Sequence, residues 1–459
     1  MDIAVIGAGY VGLTTAACLT VLGNNVACAD NDREKLQLLR SGDMPFFEPC
    51  LAEIVRQSRA AGRLEFVTTE EAVRKQVIFI CVGTPPLENG EADLSSLDSA
   101  ARTIARRADG YRLVIEKSTV PVQTGCQLQK HLELYSTNHL ECDVASNPEF
   151  LREGSAVEDF FHPDRIVIGV ESARAAAQLQ EIYEPIVNQT FHCPVHGLTC
   201  DPRMAVPLVL TDVNSAELIK HASNSFLAMK ISFINLVADL CEAAGGDIAK
   251  VAEGIGRDRR IGHAFLRPGI GFGGSCFPKD LQAFVRVAGK FGCDFSLFEE
   301  VERVNSRRID LFIEKIVKEL WVLSGKTVAV WGLAYKPNTD DLRCAPALEI
   351  IRRLLASGAS VQAYDPRAMD KARVQLPNVA YCRDPYEAAE SASAILTLTE
   401  WEEFHYIDWE RMLGLVQRPL VFDARNMFSR EKLTSNGFHY VGMGVGESKT
   451  VLDAVESTV

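Results

Sequence analysis

Two α/β domains joined by a central helical region with one long helix are predicted by three observations. Short apolar runs alternate with helical segments over roughly the first 200 residues, a long proline-free helical stretch follows, and the alternation then resumes. A chain of 459 residues is also too long for one ordinary core.

The first apolar runs are Ile3–Ile6, Val26–Ala29, Val77–Val82, Leu113–Glu116, Val144–Ser146 and Arg165–Gly169. Near-continuous apolar strands separated by helices predict a parallel sheet covered on both faces, a doubly wound Rossmann-like domain over residues 1–205. From about Thr211 to Ala244 the chain reads as one helix, rich in good helix formers and closed by Gly245-Gly246. It is apolar around much of its circumference, so burial nearly all round is expected, as an interdomain spine or a dimer interface. Helical segments continue to about Arg308, which defines a central helical domain over 206–308. Strands at Val328–Trp331, Val361–Tyr364, Ile395–Leu398 and Val421–Asp423, with helices such as Pro346–Ala356 between them, predict a second doubly wound domain over 309–459.

Composition narrows the functional classes. Hydrophobic residues at 47% and charged residues at 24% are the balance of a globular chain. No apolar run reaches the roughly 18–20 residues of a membrane span. The N-terminal MDIAVIGAGY enters a strand without a basic leader, so a cytoplasmic enzyme is expected. The net charge of −13, without a Lys/Arg-rich block, argues against nonspecific nucleic-acid binding. An anionic phosphate-ester substrate would then need cations gathered locally. The 13 cysteines are odd in number, and no Cys-x-x-Cys pair occurs. His192, Cys193, His196 and Cys200 have spacing that can ligate zinc. They lie in a Pro/Gly-containing stretch without a second half-site and read as a loop or edge-strand coincidence, so no metal is expected. Cys18, Cys28 and Cys81 read as small buried hydrophobes.

Gly7-Ala8-Gly9-Tyr10-Val11-Gly12 follows a strand and opens a helix. Gly7 permits the tight turn, Gly9 lets the backbone approach a pyrophosphate, and Gly12 lets helix and strand pack closely. Asp30 ends the second strand, where a carboxylate accepts ribose hydroxyls and repels a 2′-phosphate; NAD is therefore expected rather than NADP. Lys35 either reaches the adenosine ribose or is a solvated surface lysine.

The sharpest segment is Gly269-Ile270-Gly271-Phe272-Gly273-Gly274-Ser275-Cys276-Phe277-Pro278-Lys279-Asp280. Glycines strip steric cover from the Cys276 thiol, and nearby lysine charge and main-chain dipoles favour the thiolate, so Cys276 reads as a nucleophile. A nucleophilic cysteine beside a nicotinamide site suits oxidation of an alcohol through to an acid. Thiolate addition to the aldehyde gives a species that can lose a second hydride, and the resulting thioester is hydrolysed. A simple hydroxyacid dehydrogenase with the same domain plan would not need Cys276. Lys220 and Asn224, one turn apart on the long helix, are candidate oxyanion donors, with Asp280 holding the lysine or a water. The alternative is that Lys220 snorkels to solvent.

These residues resemble the UDP-glucose/GDP-mannose dehydrogenase family along essentially the whole chain. The matching stretches are GAGYVGL at 7–13, CVGTP at 81–85, EKSTVPV at 116–122, NPEFLREG at 147–154, PDRIVIG at 163–169, AELIKHASNSFLA at 216–228, FLRPGIGFGGSCFPKD at 265–280, GLAYKPNTDDLR at 332–343 and DARN at 423–426. Phe277 after the cysteine and Ser275 before it are similar to the UDP-glucose branch rather than the GDP-mannose or N-acetylhexosamine branches. The resemblance implies NAD-dependent oxidation of UDP-glucose to UDP-glucuronate, a precursor for polysaccharide synthesis, by a homodimer. It makes Cys276 the nucleophile, with Lys220, Asn224 and Asp280 as polar partners, and Thr119 and Glu149 as the pair that positions a water. It assigns Val11, Asp30, Lys35, Thr84, Thr119, Glu153, Lys279 and Arg343 to NAD. It assigns Phe150, Leu151, Arg152, Phe265, Leu266, Arg267, Pro268, Gly269, Gly273 and Lys336 to the UDP-sugar, with Arg260 reaching across a dimer and Arg425 meeting substrate. The second α/β domain would bind UDP. Two departures from the family pattern are Gln123, where glycine is usual, and Lys75-Gln76 before the CVGTP strand.

Overall fold

The computed structural model describes residues 1–137, 140–199 and 205–446; Cys200 lies outside them. The chain divides into two compact units, one of Met1–Ser223 with Gln282–Cys293, the other of Asn224–Leu281 with the described residues from Asp294 onward. The fold is the α/β arrangement expected, with two Rossmann-like sheets and a central helical region.

In the first unit the strands are β1 (Asp2–Ile6), β2 (Asn25–Ala29), β3 (Leu64–Val67), β4 (Val77–Ile80), β5 (Gly110–Glu116), β6 (Leu140–Ser146), β7 (Ile166–Val170), the pair β8 (His192–Cys193) and β9 (Leu198–Thr199), and β10 (Leu208–Thr211). Eight of them form one sheet in the order β10-β7-β6-β5-β4-β1-β2-β3. Neighbours run parallel except β6 and β7, while β8 and β9 form a separate antiparallel hairpin. All four residues of β4 are buried, as a strand covered on both faces requires. The order reverses between β1 and β4, which makes the carboxyl ends of these strands the switch point where doubly wound sheets bind ligands.

The second unit holds β11 (Thr327–Trp331), β12 (Ser360–Tyr364), β13 (Ala380–Tyr381), β14 (Ala394–Thr397), β15 (Leu420–Asp423) and β16 (His439–Gly442). They form a parallel sheet in the order β13-β12-β11-β14-β15-β16, whose switch point lies between β11 and β14. Its core centres on the fully buried Trp331, packed on Phe404 and Trp409.

The long helix spans Val213–Ala244, and Gly245 follows it at φ +77° as the left-handed stop. Burial nearly all round does not hold for the single chain, because Phe226, Phe233, Leu236 and Leu240 are exposed. A further correction concerns Arg308. It lies inside a helix that runs from Ser296 to Leu320, since the sequence offers no glycine or proline to stop it there. No helix among the described residues is long and apolar enough to cross a membrane.

Candidate active site

The turn after β1 is built for a close-approaching ligand. Gly7 takes φ +103°, and a Cβ there would meet the Cys81 carbonyl oxygen at 2.6 Å. A Cβ on Gly12 would collide with the Gly7 oxygen at 1.7 Å, whereas one on Gly9 would meet nothing within 4 Å. Gly7 and Gly12 are thus fixed by packing, and Gly9 leaves open space at the start of the helix Tyr10–Val21. No side chain caps that helix, so its first N–H groups and dipole remain available to an anion. The Ala8 N–H donates to Asp30 Oδ2 at 2.8 Å, and Lys35 Nζ donates to the same oxygen at 2.9 Å. Partial burial opposes ionisation of Asp30, but hydrogen bonds from Asp32, Lys35 and Ala8 hold its carboxyl below the ordinary value. The anionic form is the one that accepts from ribose hydroxyls. Lys35 is therefore neither a free surface lysine nor separate from Asp30. These features fit NAD. Val11 lies in the first turn of that helix, and Thr84 Oγ1 donates to the Thr119 carbonyl at 2.8 Å, tying the segment after β4 to the one after β5.

Further along the same unit a buried polar group gathers Glu149, Lys220, Lys117 and Asn147. Lys220 Nζ donates to Glu149 Oε1 at 3.0 Å, with both side chains only 5% exposed. The solvent-snorkelling alternative for Lys220 is thus overturned. A buried ion pair is weak evidence for stability, because desolvation offsets most of the Coulomb gain, and it is better read as machinery. Glu149 Oε2 also accepts from the Leu151 N–H at 2.5 Å. The Phe150 ring lies against two cations, with Arg165 Cζ 3.7 Å and Lys220 Nζ 5.4 Å from its centroid. Lys117 Nζ donates to the oxygens of Asn147, whose Oδ1 also accepts from Tyr183, and burial lowers the Lys117 pKa. Glu153 is buried, while Arg152 is exposed and paired to Asp159 at 2.6 Å.

In the second unit the glycine-rich strap is held from both sides. Asn305 Oδ1 accepts from the Phe272 N–H at 2.8 Å, and the Gly274 N–H donates to the Arg343 carbonyl at 3.0 Å. A Cβ on Gly273 would meet the Cys344 oxygen at 2.2 Å, and one on Gly274, at φ +81°, the Tyr335 ring at 2.6 Å. Only glycine lets the strap lie this close to the loop after β11. The half-buried Cys276 comes next, at the N-terminal end of the helix Phe277–Lys290, where its carbonyl accepts from the Asp280 N–H at 2.8 Å. Helix amides there stabilise a thiolate. Asp280, 1% exposed, accepts from Asn224 Nδ2 at 2.7 Å and pairs with Lys279 at 2.7 Å. The Gly269 N–H donates to Asn235 at 2.9 Å; Leu266 and Pro268 are buried nearby, Arg267 is exposed, and Phe265 sits at φ +63°.

Residues 1–187 match the model of the UDP-glucose/GDP-mannose dehydrogenase family for its NAD binding domain, 214–307 its central domain, and 329–430 its UDP binding domain. The UDP-glucose 6-dehydrogenase TuaD of Bacillus subtilis is 43% identical over 96% of this chain and 93% of its own length. The chain belongs to the UDP-glucose/GDP-mannose dehydrogenase family. A UDP-glucose 6-dehydrogenase of Rhizobium meliloti is 42% identical over 97% of this chain and 99% of its own. The solved UDP-glucose dehydrogenase of Pyrobaculum islandicum superposes with a TM-score of 0.86 at 36% identity, covering 97% of this chain and 98% of that one. At the family level the activity is NAD-dependent oxidation of a nucleotide sugar.

Against that family frame, the candidate residues fall into groups inside each unit. Gly7, Gly9, Asp30 and Lys35 form one, Glu149, Phe150 and Lys220 another, and Cys276, Asn224, Lys279 and Asp280 a third. Arg425 is largely engaged by the protein, donating to the carbonyls of Leu398, Tyr335 and Gly271 at 2.9, 3.2 and 3.4 Å. Arg260 and Arg343 are exposed and paired to Asp258 and Asp341, and Lys336 lies over the Tyr335 ring. Sequence reasoning missed Lys117, Asn147 and Tyr335 as individual residues. For Lys117 the signal available was the charged pair Glu116-Lys117 directly after the apolar run Leu113–Ile115, a position that demands buried partners.

Proposed function

We propose that this protein oxidises UDP-glucose to UDP-glucuronate through a thioester on Cys276. The observation that carries the reading is Cys276 itself: a half-buried thiol at a helix start, on a strap that only glycine can build, followed by the buried Lys279–Asp280–Asn224 group. NAD, held by the Gly7–Gly12 turn and Asp30, supplies the hydride acceptor for both oxidations.

The chain's own residues do the rest. In the first oxidation a base removes the C6 hydroxyl proton. Lys220 and Asn224 stabilise the developing oxyanion as hydrogen-bond donors. The Cys276 thiolate then adds to the aldehyde carbon as the carbonyl π bond breaks, and the oxygen takes back the proton that the base removed, leaving a carbon–sulfur bond and a hydroxyl-bearing tetrahedral centre. After the second oxidation that centre is a thioester. Glu149, with Thr119, orients water and takes its proton as the water adds, and the carbon–sulfur bond breaks to return the thiolate and release the acid. Exposed Phe226, Phe233, Leu236 and Leu240 on the long helix support a homodimer built on that face.

The test is NADH formation with UDP-glucose, GDP-mannose and UDP-N-acetylglucosamine, together with product stoichiometry. Two NADH per UDP-glucose, with Cys276→Ser unable to form the acid, is the expected result. Turnover on another sugar alone would overturn the substrate, and full acid formation by Cys276→Ser would overturn the thioester.

A further inference from the structure

Outside this machinery, a cluster of nitrogen and sulfur donors sits at the edge of the first unit. His162 follows directly on the short helix Ala156–Phe161, and its N–H donates to the Glu158 carbonyl at 2.8 Å. Cys193 ends β8, and the chain then turns through Pro194-Val195-His196-Gly197 into β9. Gly197 takes φ +65° and donates its N–H to the Cys193 carbonyl at 2.9 Å, closing a turn that brings residues three apart to one side. His162 Nε2 lies 3.2 Å from Cys193 Sγ, and His196 Nδ1 lies 3.5 Å from the same sulfur. All three donor atoms fall within 4.8 Å of one another.

We propose that His162, Cys193 and His196 form a zinc site. Tetrahedral zinc, with bonds of about 2.3 Å to sulfur and about 2.0 Å to nitrogen, sets a sulfur and a nitrogen donor about 3.5 Å apart, and the two nitrogens lie 3.2 and 3.5 Å from Cys193 Sγ. A thiolate with two neutral imidazoles is also the donor set this borderline-soft ion prefers, over the oxygen sites of magnesium or calcium. The environment is graded: Cys193 is fully buried, His162 partly, and His196 exposed, so the ion would enter from the His196 side and keep water as its fourth ligand. The His162 ring packs 6.0 Å from Phe191, and Gln189 donates to the carbonyl of the preceding Phe161 at 3.0 Å, which helps to fix the segment that presents His162. His192, one of the residues whose spacing first suggested zinc, is exposed while Cys193 is buried, as strand alternation requires, and it is not in the cluster. The half-site absent from the local sequence is His162, 31 residues upstream of Cys193. The bound ion would pin the end of the Ala156–Phe161 helix to the β8–β9 hairpin, just ahead of β7.

Metal content of the full chain, purified without chelator, tests this directly. About one zinc per chain is expected; after stripping, cobalt(II) alone should bind once and give a thiolate-to-cobalt charge-transfer band. Cys193→Ser should abolish the band. His196→Ala, at an exposed position that leaves the core untouched, should weaken cobalt binding by roughly 10-fold or more. Cys276→Ser should keep both stoichiometry and band. Absence of zinc together with absence of the band in the wild-type chain would overturn the site, as would wild-type cobalt binding by His196→Ala or loss of the band in Cys276→Ser.

Discussion

After β1 and after β11 the chain turns in the same manner. The Gly7 N–H donates to the Ala29 carbonyl at 2.7 Å, and the Gly332 N–H to the Tyr364 carbonyl at 2.8 Å, with φ of +103° and +88°. In both sheets the residue directly after the neighbouring strand is an aspartate that accepts from turn amides. Asp30 takes the Ala8 N–H, and Asp365 takes those of Leu333 and Ala334 at 2.7 and 3.1 Å. Beyond that the two diverge. Asp30 is partly exposed, and a helix starts at once, with an uncapped N-terminus facing the turn. Asp365 is fully buried and also accepts from Arg367, Ala368 and the Trp401 indole, while the next helix waits until Pro346. The intervening loop carries Lys336 and Arg343 instead. One backbone device thus recurs in the two regions that match the family's NAD binding and UDP binding domain models. A carboxylate left partly free can read a ribose, whereas one whose oxygens are all engaged can only hold a loop that offers cations.

The largest effect expected from breaking this contrast is in the second sheet. Asp365→Ala leaves the Leu333, Ala334, Arg367 and Ala368 amides and the Trp401 indole without their acceptor. A stability loss of about 3–5 kcal/mol follows, read from urea unfolding. A loss below about 1 kcal/mol would show that water replaces the carboxylate and that the loop is not held by it. Asp30→Ala should behave the other way, with a stability cost of about 1 kcal/mol but a shift in cofactor choice. The ratio of kcat/KM for NADP to that for NAD should rise by roughly 10- to 100-fold, since the repulsive carboxylate is gone. An unchanged ratio would place the discrimination elsewhere.

The glycine fingerprint, Asp30 and the long helix were legible because each is a local pattern: a motif at fixed spacing or a periodicity sustained over many residues. The short strands β3, β10, β13 and β16 were not, because two to four residues carry too little periodicity, and edge strands mix polar with apolar side chains. Pairings across the chain were equally hidden. Lys220 meets Glu149 from 71 residues away, and Asp365 reads locally as an ordinary turn residue before a proline. Gln123 shows the reverse case. Its departure from the family's glycine was visible in sequence, but the reason glycine is usual there emerges only from the backbone, which is at φ +77°.

A third strand–turn–helix, after β5, sharpens the contrast between spent and available carboxylates. Glu217 on the long helix accepts from the Gln123 and Gly125 N–H groups, each at 2.7 Å, and burial pushes its pKa up to about 7 despite those bonds. The native state therefore keeps a proton that the unfolded chain releases near its ordinary value of 4.5. This contribution to stability is complete below that value, declines as the pH rises to about 7, and is flat above. Wild type should lose about 1–3 kcal/mol relative to Glu217→Gln between pH 4.5 and 8. Parallel stability curves for the two proteins would mean that Glu217 is ionised throughout, as Asp30 is.

The smallest effect concerns the same turn. Gln123 is exposed and holds a left-handed backbone that a side chain disfavours by roughly 1 kcal/mol, while its N–H bond to Glu217 would survive replacement by glycine. Glycine gives back part of that gain through the greater freedom of the unfolded chain. Gln123→Gly is therefore expected to stabilise the protein by about 0.5 kcal/mol, seen as a small rise in urea midpoint with unchanged slope. Measured in the Glu217→Gln background, the gain should persist, because it arises in the backbone and not in the hydrogen bond. A gain that vanishes there would assign the strain to the carboxylate's pull on the turn, and the left-handed residue would be its consequence.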